Sequence, residues 1–193
     1  MKFSIVSIVG RSGAGKGTQA KLLQKRTGFR LIRTGDLLRK RAQKNDAVGK
    51  TVKQALDHGG LIPTPVVFSL WMPLLEKIKG EGKARGIIFD GNPRKLYEAH
   101  MLEEVFEMFG WKDKFRACYI NVSEKEIMTR LLKRVRGDDT EEAVKGRLAY
   151  FSREVKPMLS YYRKKKALIE VDGEQSTENV HKEVMRKLRR FLK

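Results

Sequence analysis

At 193 residues the chain has the length of one compact domain with its own core, and 40% hydrophobic against 34% charged residues excludes a disordered polyelectrolyte. Its apolar runs fall well short of the about 20 residues that a membrane-crossing helix needs, and the single cysteine, Cys118, excludes an internal disulfide or a multi-cysteine zinc site. The formal net charge of +19 favours polyanionic partners, nucleotides and nucleic acid alike.

Strand-like and helical patterns alternate along the chain. Phe3 to Val9 reads as a strand, and it runs into Gly10, Arg11 and a glycine-rich segment without a small-residue cleavage pattern, so no leader is expected and the cytoplasm is the expected location. A helix over Gly15 to Arg26 closes at Gly28, and Arg30 to Arg33 is the next strand. Helices follow at Gly35 to Lys44, Val48 to His58 and Thr64 to Ile78, then a strand at Gly86 to Asp90. Lys95 to Phe109 is a helix closed by Gly110, and Phe115 to Val122 is a strand. Ser123 caps a helix over Glu124 to Val135, Asp139 caps one over Thr140 to Tyr162, and Leu168 to Val171 and Glu178 to Phe191 complete the chain as strand and helix. This order predicts one α/β domain over residues 1–193, a parallel five-stranded sheet flanked by helices.

Several conspicuous residues have plain structural readings. Cys118, Trp71, Met72 and Trp111 fall where core residues are expected, and His58, His100 and His181 are too far apart to suggest a local metal site. Basic residues gather at Arg163 to Lys166 and between Val180, Val184, Leu188 and Leu192 of the last helix. A solvated face accounts for them, with nucleic-acid contact as the alternative; aromatic residues are not interleaved as a stacking platform would require.

The segment Gly10-Arg11-Ser12-Gly13-Ala14-Gly15-Lys16-Gly17-Thr18 follows a strand and opens a helix, the context in which such a run cradles phosphate. Glycines let backbone N–H groups point inward, the helix adds the positive end of its dipole, and Lys16 adds a point charge for the β- and γ-phosphates. Gly17 stands where Ser or Thr normally follows the lysine, and the hydroxyl comes one residue later in Thr18. No Asn-Lys-x-Asp segment is present to read guanine in the manner of a GTPase.

The run GAGKGTQA closely resembles that of the adenylate kinase family of nucleoside monophosphate kinases, which have the P-loop NTPase fold. Thr34-Gly35-Asp36-Leu37-Leu38-Arg39, Gly60-Leu61-Ile62-Pro63, Asp90-Gly91-Asn92-Pro93-Arg94 and the arginines from Arg130 to Arg136, with Arg147, match further family motifs in order, so the resemblance covers essentially the whole chain. It implies a phosphotransferase that moves the terminal phosphoryl group of Mg-ATP to AMP, with GMP or a pyrimidine nucleotide as alternative acceptor. A basic nucleic-acid-binding or assembly protein that retains the fold is the second class of reading.

By resemblance, ATP is held by Gly13, Ala14, Gly15, Lys16, Gly17, Thr18, Arg134 and Gln175. The acceptor is held by Thr34, Arg39, Gly60, Leu61, Ile62, Val67, Gly91, Asn92, Pro93, Arg94, Glu98, Arg136 and Arg147. Lys16, Arg94, Arg134, Arg136 and Arg147 surround the reacting phosphates. The resemblance further implies a helical acceptor-binding insert over about 34–67 and a short lid over about 135–139, without the zinc-carrying hairpin of long-lid members. The partners expected are small nucleotides rather than a membrane, and a monomer is expected.

Phosphoryl transfer between nucleotides needs alignment and charge neutralisation rather than a strong base, and arginine's planar fork suits two phosphate oxygens at once. Asp90, at the carboxyl end of a strand beside the glycine-rich loop, is the expected magnesium residue, through water; its alternative is to brace the loop. Asp36 reads equally as a cap or ion-pair partner and as a catalytic residue. Asp138 and Asp139 could tether the lid arginines, with Asp139 as helix cap the plainer role. Glu98 breaks the pattern, standing where the family carries a glutamine that reads the acceptor adenine. A carboxylate can only accept hydrogen bonds, so facing the base it would disfavour AMP and favour the donors of guanine; turned aside or paired with Lys95, it would leave the choice to Gly60 to Ile62.

Overall fold

The structure, a computed structural model, describes residues 3–132 and 141–192, without the side chains of residues 132 and 141–144. The expected lid at 135–139, with Arg134, Arg136, Asp138 and Asp139, lies outside the described residues.

Five strands form one sheet: β1 (Ser4–Val9), β2 (Arg30–Arg33), β3 (Gly86–Asp90), β4 (Phe115–Asn121) and β5 (Leu168–Asp172). Their order is β2-β3-β1-β4-β5, and every neighbouring pair is parallel. Parallel strands need crossovers, and helices supply them on both faces, so the central strands β1, β3 and β4 are buried on both sides and read as nearly continuous apolar runs. Along β1 the residues alternate: Ile5 and Val9 join the core on one face, while Val6 and Ile8 join the core on the other.

The first face is covered by α4 (Thr64–Glu81), α5 (Leu96–Met108) and α8 (Lys156–Lys164), which bring Trp71, Leu75, Leu102, Phe106, Met158 and Tyr162 against Phe89 and Phe115. Trp71, wholly buried, satisfies its indole N–H on Thr34 Oγ1 at 3.0 Å. The second face is covered by α1 (Lys16–Thr27) and α9 (Thr177–Leu188), whose Leu23, Val180, Val184 and Leu188 meet Ile88, Cys118 and Ile120. Burial pushes the Cys118 thiol pKa up to about 12, so this cysteine is an inert core residue.

Two short helices, α2 (Thr34–Ala42) and α3 (Ala47–Asp57), stand between β2 and α4. Asp46 caps α3 by accepting from the Gly49 N–H at 2.7 Å and binds Arg41 at 2.8 Å. Gly49 is required because a Cβ there would collide with the Lys44 carbonyl where the two helices meet. After β4, Ser123 Oγ accepts from the Glu126 N–H at the start of α6 (Glu124–Leu132).

The expected single helix from Thr140 to Tyr162 is broken. In the described part, α7 (Glu141–Tyr150) passes into a π-helical turn, Phe151–Val155, before α8. Lys156 donates its N–H to the Phe151 carbonyl five residues back. Pro157 follows and has no N–H for the carbonyl four residues back, so the wider turn occurs where the α-helical ladder would lose a bond in any case.

Candidate active site

The chain leaves β1 toward β2 on one side of the sheet and leaves β3 toward β4 on the other, which opens a crevice at the carboxyl ends of β1 and β3. The glycine-rich loop fills one side. A Cβ at Gly10 would lie 2.6 Å from the Ile120 carbonyl oxygen, so only glycine lets the loop pass the end of β4. Gly15 has φ 83°, a left-handed conformation, at the N-cap of α1, whose first turn carries neither a side-chain cap nor an acidic residue. The amide end of the helix dipole therefore faces the crevice uncompensated by a carboxylate of its own. Lys16 Nζ donates to the Arg11 carbonyl at 2.7 Å, holding its charge over the loop.

The unusual Gly17 has a local cause. A Cβ there would stand 3.1 Å from Asp90 Oδ2, so its absence allows the carboxylate at the end of β3 to close on the loop. Arg33 Nε lies 3.7 Å from the same oxygen, and the Asp90 side chain is only 15% exposed. Gly91 donates its N–H to the Ile8 carbonyl at 2.9 Å, tying the ends of β1 and β3, and the Asn92–Pro93 peptide bond is cis. Arg94 is then fixed by its side chain: Nε donates to the Gly91 carbonyl at 2.8 Å and Nη1 to Tyr150 Oη at 3.0 Å.

These groups line one cleft of about 690 Å³, with Arg39, Gly60 and Ile62 on the α2–α3 side and Arg147 of α7 and Tyr150 across from them. Among the described residues its lining has Lys16, Lys21, Arg33, Arg39, Arg94, Arg130 and Arg147 against two carboxylates, Asp36 and Asp90, an imbalance that suits a ligand with several negative charges. Asp36 takes the ion-pair role foreseen for it: it binds Arg39 at 2.5 Å and Arg33 at 2.6 Å, and so holds two guanidinium groups at the acceptor side. Among the described residues no group of three or more histidine, cysteine or acidic side chains could cage a metal ion.

Of the expected site residues, Gly13, Gly15, Lys16, Gly17, Thr18, Arg39, Gly60, Ile62, Asp90, Gly91, Arg94 and Arg147 meet at this cleft. Pro93 lines a small adjoining recess with Arg94 and Arg147. Others lie outside its lining. Ala14 and Val67 are buried, Thr34 is bonded to Trp71, and Leu61 packs against the core. Gln175 is engaged elsewhere, donating to Glu183 at 2.8 Å and to the Asp172 carbonyl at 3.2 Å. Buried Asn92 and Glu98 also lie outside the lining; the Glu98 carboxylate accepts from the Arg94 backbone N–H at 2.8 Å, while Lys95 donates to the Ile62 carbonyl at 3.0 Å instead.

Arg33 and Tyr150 are among the contributors that were not foreseen. Arg33 had a usable signal, since it is the last residue of a strand and lies in register with Asp90, where the crevice must open. Tyr150 had none, because its pairing with Arg94 joins residues 56 positions apart in the chain.

Comparison with known proteins agrees with this geometry. The family model described as adenylate kinase matches residues 8–167. The chain is 34% identical to adenylate kinase 1 of a Nostoc species, covering 91% of this chain and 94% of that protein. It is 35% identical to the adenylate kinase of Corynebacterium urealyticum over 90% of this chain and 92% of that protein, and 33% identical to that of Thermus thermophilus over 91% and 92%. With a parallel α/β fold, a phosphate loop and a cation-lined cleft in common order, the chain belongs to the adenylate kinase family of nucleoside monophosphate kinases.

Proposed function

We propose that the chain catalyses the reversible transfer of the terminal phosphoryl group from Mg-ATP to AMP, giving two ADP. The observation that carries this reading is the single cleft in which the amide end of α1 and Lys16 face Arg39, Arg94 and Arg147, so donor and acceptor phosphates can share one set of cations. The attacking oxygen belongs to a phosphate already ionised at neutral pH, so no side chain need take a proton. Repulsion between the two phosphate groups is the obstacle, and a cation about 4 Å from a phosphate oxygen in a cleft of effective dielectric about 20 opposes it with about 4 kcal/mol of Coulomb attraction.

In this reading Gly13 to Thr18 bind the donor phosphates through backbone N–H groups and Lys16. Arg39 and Arg94 hold the acceptor phosphate, Arg134, outside the described residues, joins Lys16 on the donor, and Arg147, with Arg136 likewise outside them, closes over the transferring group. The segment 34–67 serves as the acceptor-binding insert and 135–139 as a short lid. The bond that Arg94 donates to Tyr150 and the approach of Gly146 to the His58 carbonyl support a role for α7 in closing that side.

The residues present fit magnesium. One carboxylate, Asp90, stands beside Gly17 and Thr18 at the cleft, and magnesium characteristically keeps its waters and takes few protein ligands alongside phosphate oxygens. Bound with the nucleotide, the ion would neutralise phosphate charge, while Asp90 orients it through water and braces the loop. We further take the chain to act on free nucleotides as a cytoplasmic monomer. No helix of the described residues is long and apolar enough to cross a membrane.

The test is an acceptor assay. Purified chain with ATP and magnesium should convert AMP to ADP faster than it uses GMP, CMP or UMP; preference for GMP would support the alternative acceptor.

A further inference from the structure

Arg94 is fixed at both its side chain and its main chain, and the main-chain anchor is Glu98. Lys95 is the N-cap of α5 and makes no side-chain cap, and Glu98, the third helical residue, serves the chain just before the helix. Glu98 is 1% exposed and turns back toward that chain, with Oε2 accepting from the Arg94 N–H at 2.8 Å. Asn92 Nδ2 reaches the same oxygen at 3.4 Å. Only the nitrogen of an amide can face a carboxylate, and this leaves buried Asn92 Oδ1 without a partner. The Asn92 carbonyl in turn accepts from Ser7 Oγ of β1. The loop between β3 and α5 is thus pinned to the sheet at one end and to Glu98 at the other.

We propose that Glu98 is a positioning residue for Arg94 and does not read the acceptor base. It sets the main chain from which the guanidinium reaches the cleft, and its buried carboxylate is committed to that loop together with Asn92. The proposal rests on the reading of Arg94 as a cation for the acceptor phosphate. Acceptor discrimination then belongs to other cleft groups, and the carboxylate imposes no penalty on adenine.

Glutamine at this position can still accept through Oε1 from both the Arg94 N–H and Asn92 Nδ2. Alanine can accept from neither. Steady-state kinetics with AMP, GMP and ATP should therefore show Glu98→Gln within twofold of the unchanged chain in its AMP-to-GMP preference. Glu98→Ala should raise the KM for AMP at least tenfold while the KM for ATP stays within twofold. Hydrogen exchange supplies a readout independent of turnover: the Arg94 amide should be protected in the unchanged chain and in Glu98→Gln, and unprotected in Glu98→Ala. A change of tenfold or more in acceptor preference on Glu98→Gln would show that the carboxylate reads the base and overturn the proposal. An unprotected Arg94 amide in the unchanged chain, or an unaltered AMP KM in a folded Glu98→Ala, would overturn it as well. A protected Arg94 amide in a chain that fails to phosphorylate AMP would fault the kinase reading while leaving the Glu98 anchor in place.

Discussion

Replacing Lys16 with methionine removes the charge of the phosphate loop while keeping a side chain of similar length. In the fold, Lys16 loses its bond to the Arg11 carbonyl, a net contribution of about 1 kcal/mol for a part-exposed loop contact, which for a domain of this size moves Tm by only about 2–4 °C. In the reaction the loss is larger. Coulomb attraction to a phosphate oxygen at about 4 Å is on the order of 4 kcal/mol at an effective dielectric of 20, and removing one such preorganised group costs about 10²–10³ in kcat. Lys16→Met should therefore remain folded by circular dichroism and melt close to the unchanged chain, yet lose at least about 10² in kcat in an assay of ADP formation. Turnover within tenfold of the unchanged chain in a folded variant would refute the assignment of Lys16 to the transferring phosphates.

Gly17→Ser restores the residue type that usually follows the lysine of such loops, but it sets a Cβ 3.1 Å from Asp90 Oδ2. It should lower kcat several-fold with little change in Tm, measured by the same assay and melt. Gly49→Ala drives a Cβ into the Lys44 carbonyl between α2 and α3 and should cost about 1–3 kcal/mol in urea denaturation. Glu183 is held below its usual carboxylate pKa first by the hydrogen bond from Lys187, with Gln175 also contributing. Its ionised form therefore stabilises the fold above the unfolded pKa, and that contribution disappears as pH falls through the folded one. Glu183→Gln should be less stable at pH 7 by about 1 kcal/mol and should converge with the unchanged chain in strong acid; a constant difference at all pH values would contradict this.

The central strands were legible because both faces of a parallel sheet are buried there, and the ranges read at Arg30 to Arg33 and Gly86 to Asp90 match the observed strands end to end. The glycine-rich loop was legible because its glycines, lysine and flanking strand and helix are all local. The motif around Asp90 located a crevice wall for the same reason. What escaped depended on packing at a distance. The π-helical turn at Phe151–Val155 is a compromise between Pro157 and the course of α7 into α8, which periodicity alone does not separate from a continuous helix. The inward turn of Glu98 and the engagement of Gln175 with Glu183 depend on which neighbours offer a donor or acceptor, and those neighbours are set by the loop fold. The charge of +19 marked an anionic partner without placing it; the cleft concentrates part of that charge in Lys16, Arg39, Arg94 and Arg147.

The central claim is that one cation-lined cleft joins a donor and an acceptor nucleotide. Phosphorus-31 NMR of the purified chain with ATP, AMP and magnesium tests it directly, since the method sees every phosphate species at once. ATP and AMP should fall together, two ADP should appear for each pair consumed, and ADP alone should run back to the same equilibrium. Release of inorganic phosphate without loss of AMP, or no change in any resonance, would contradict it.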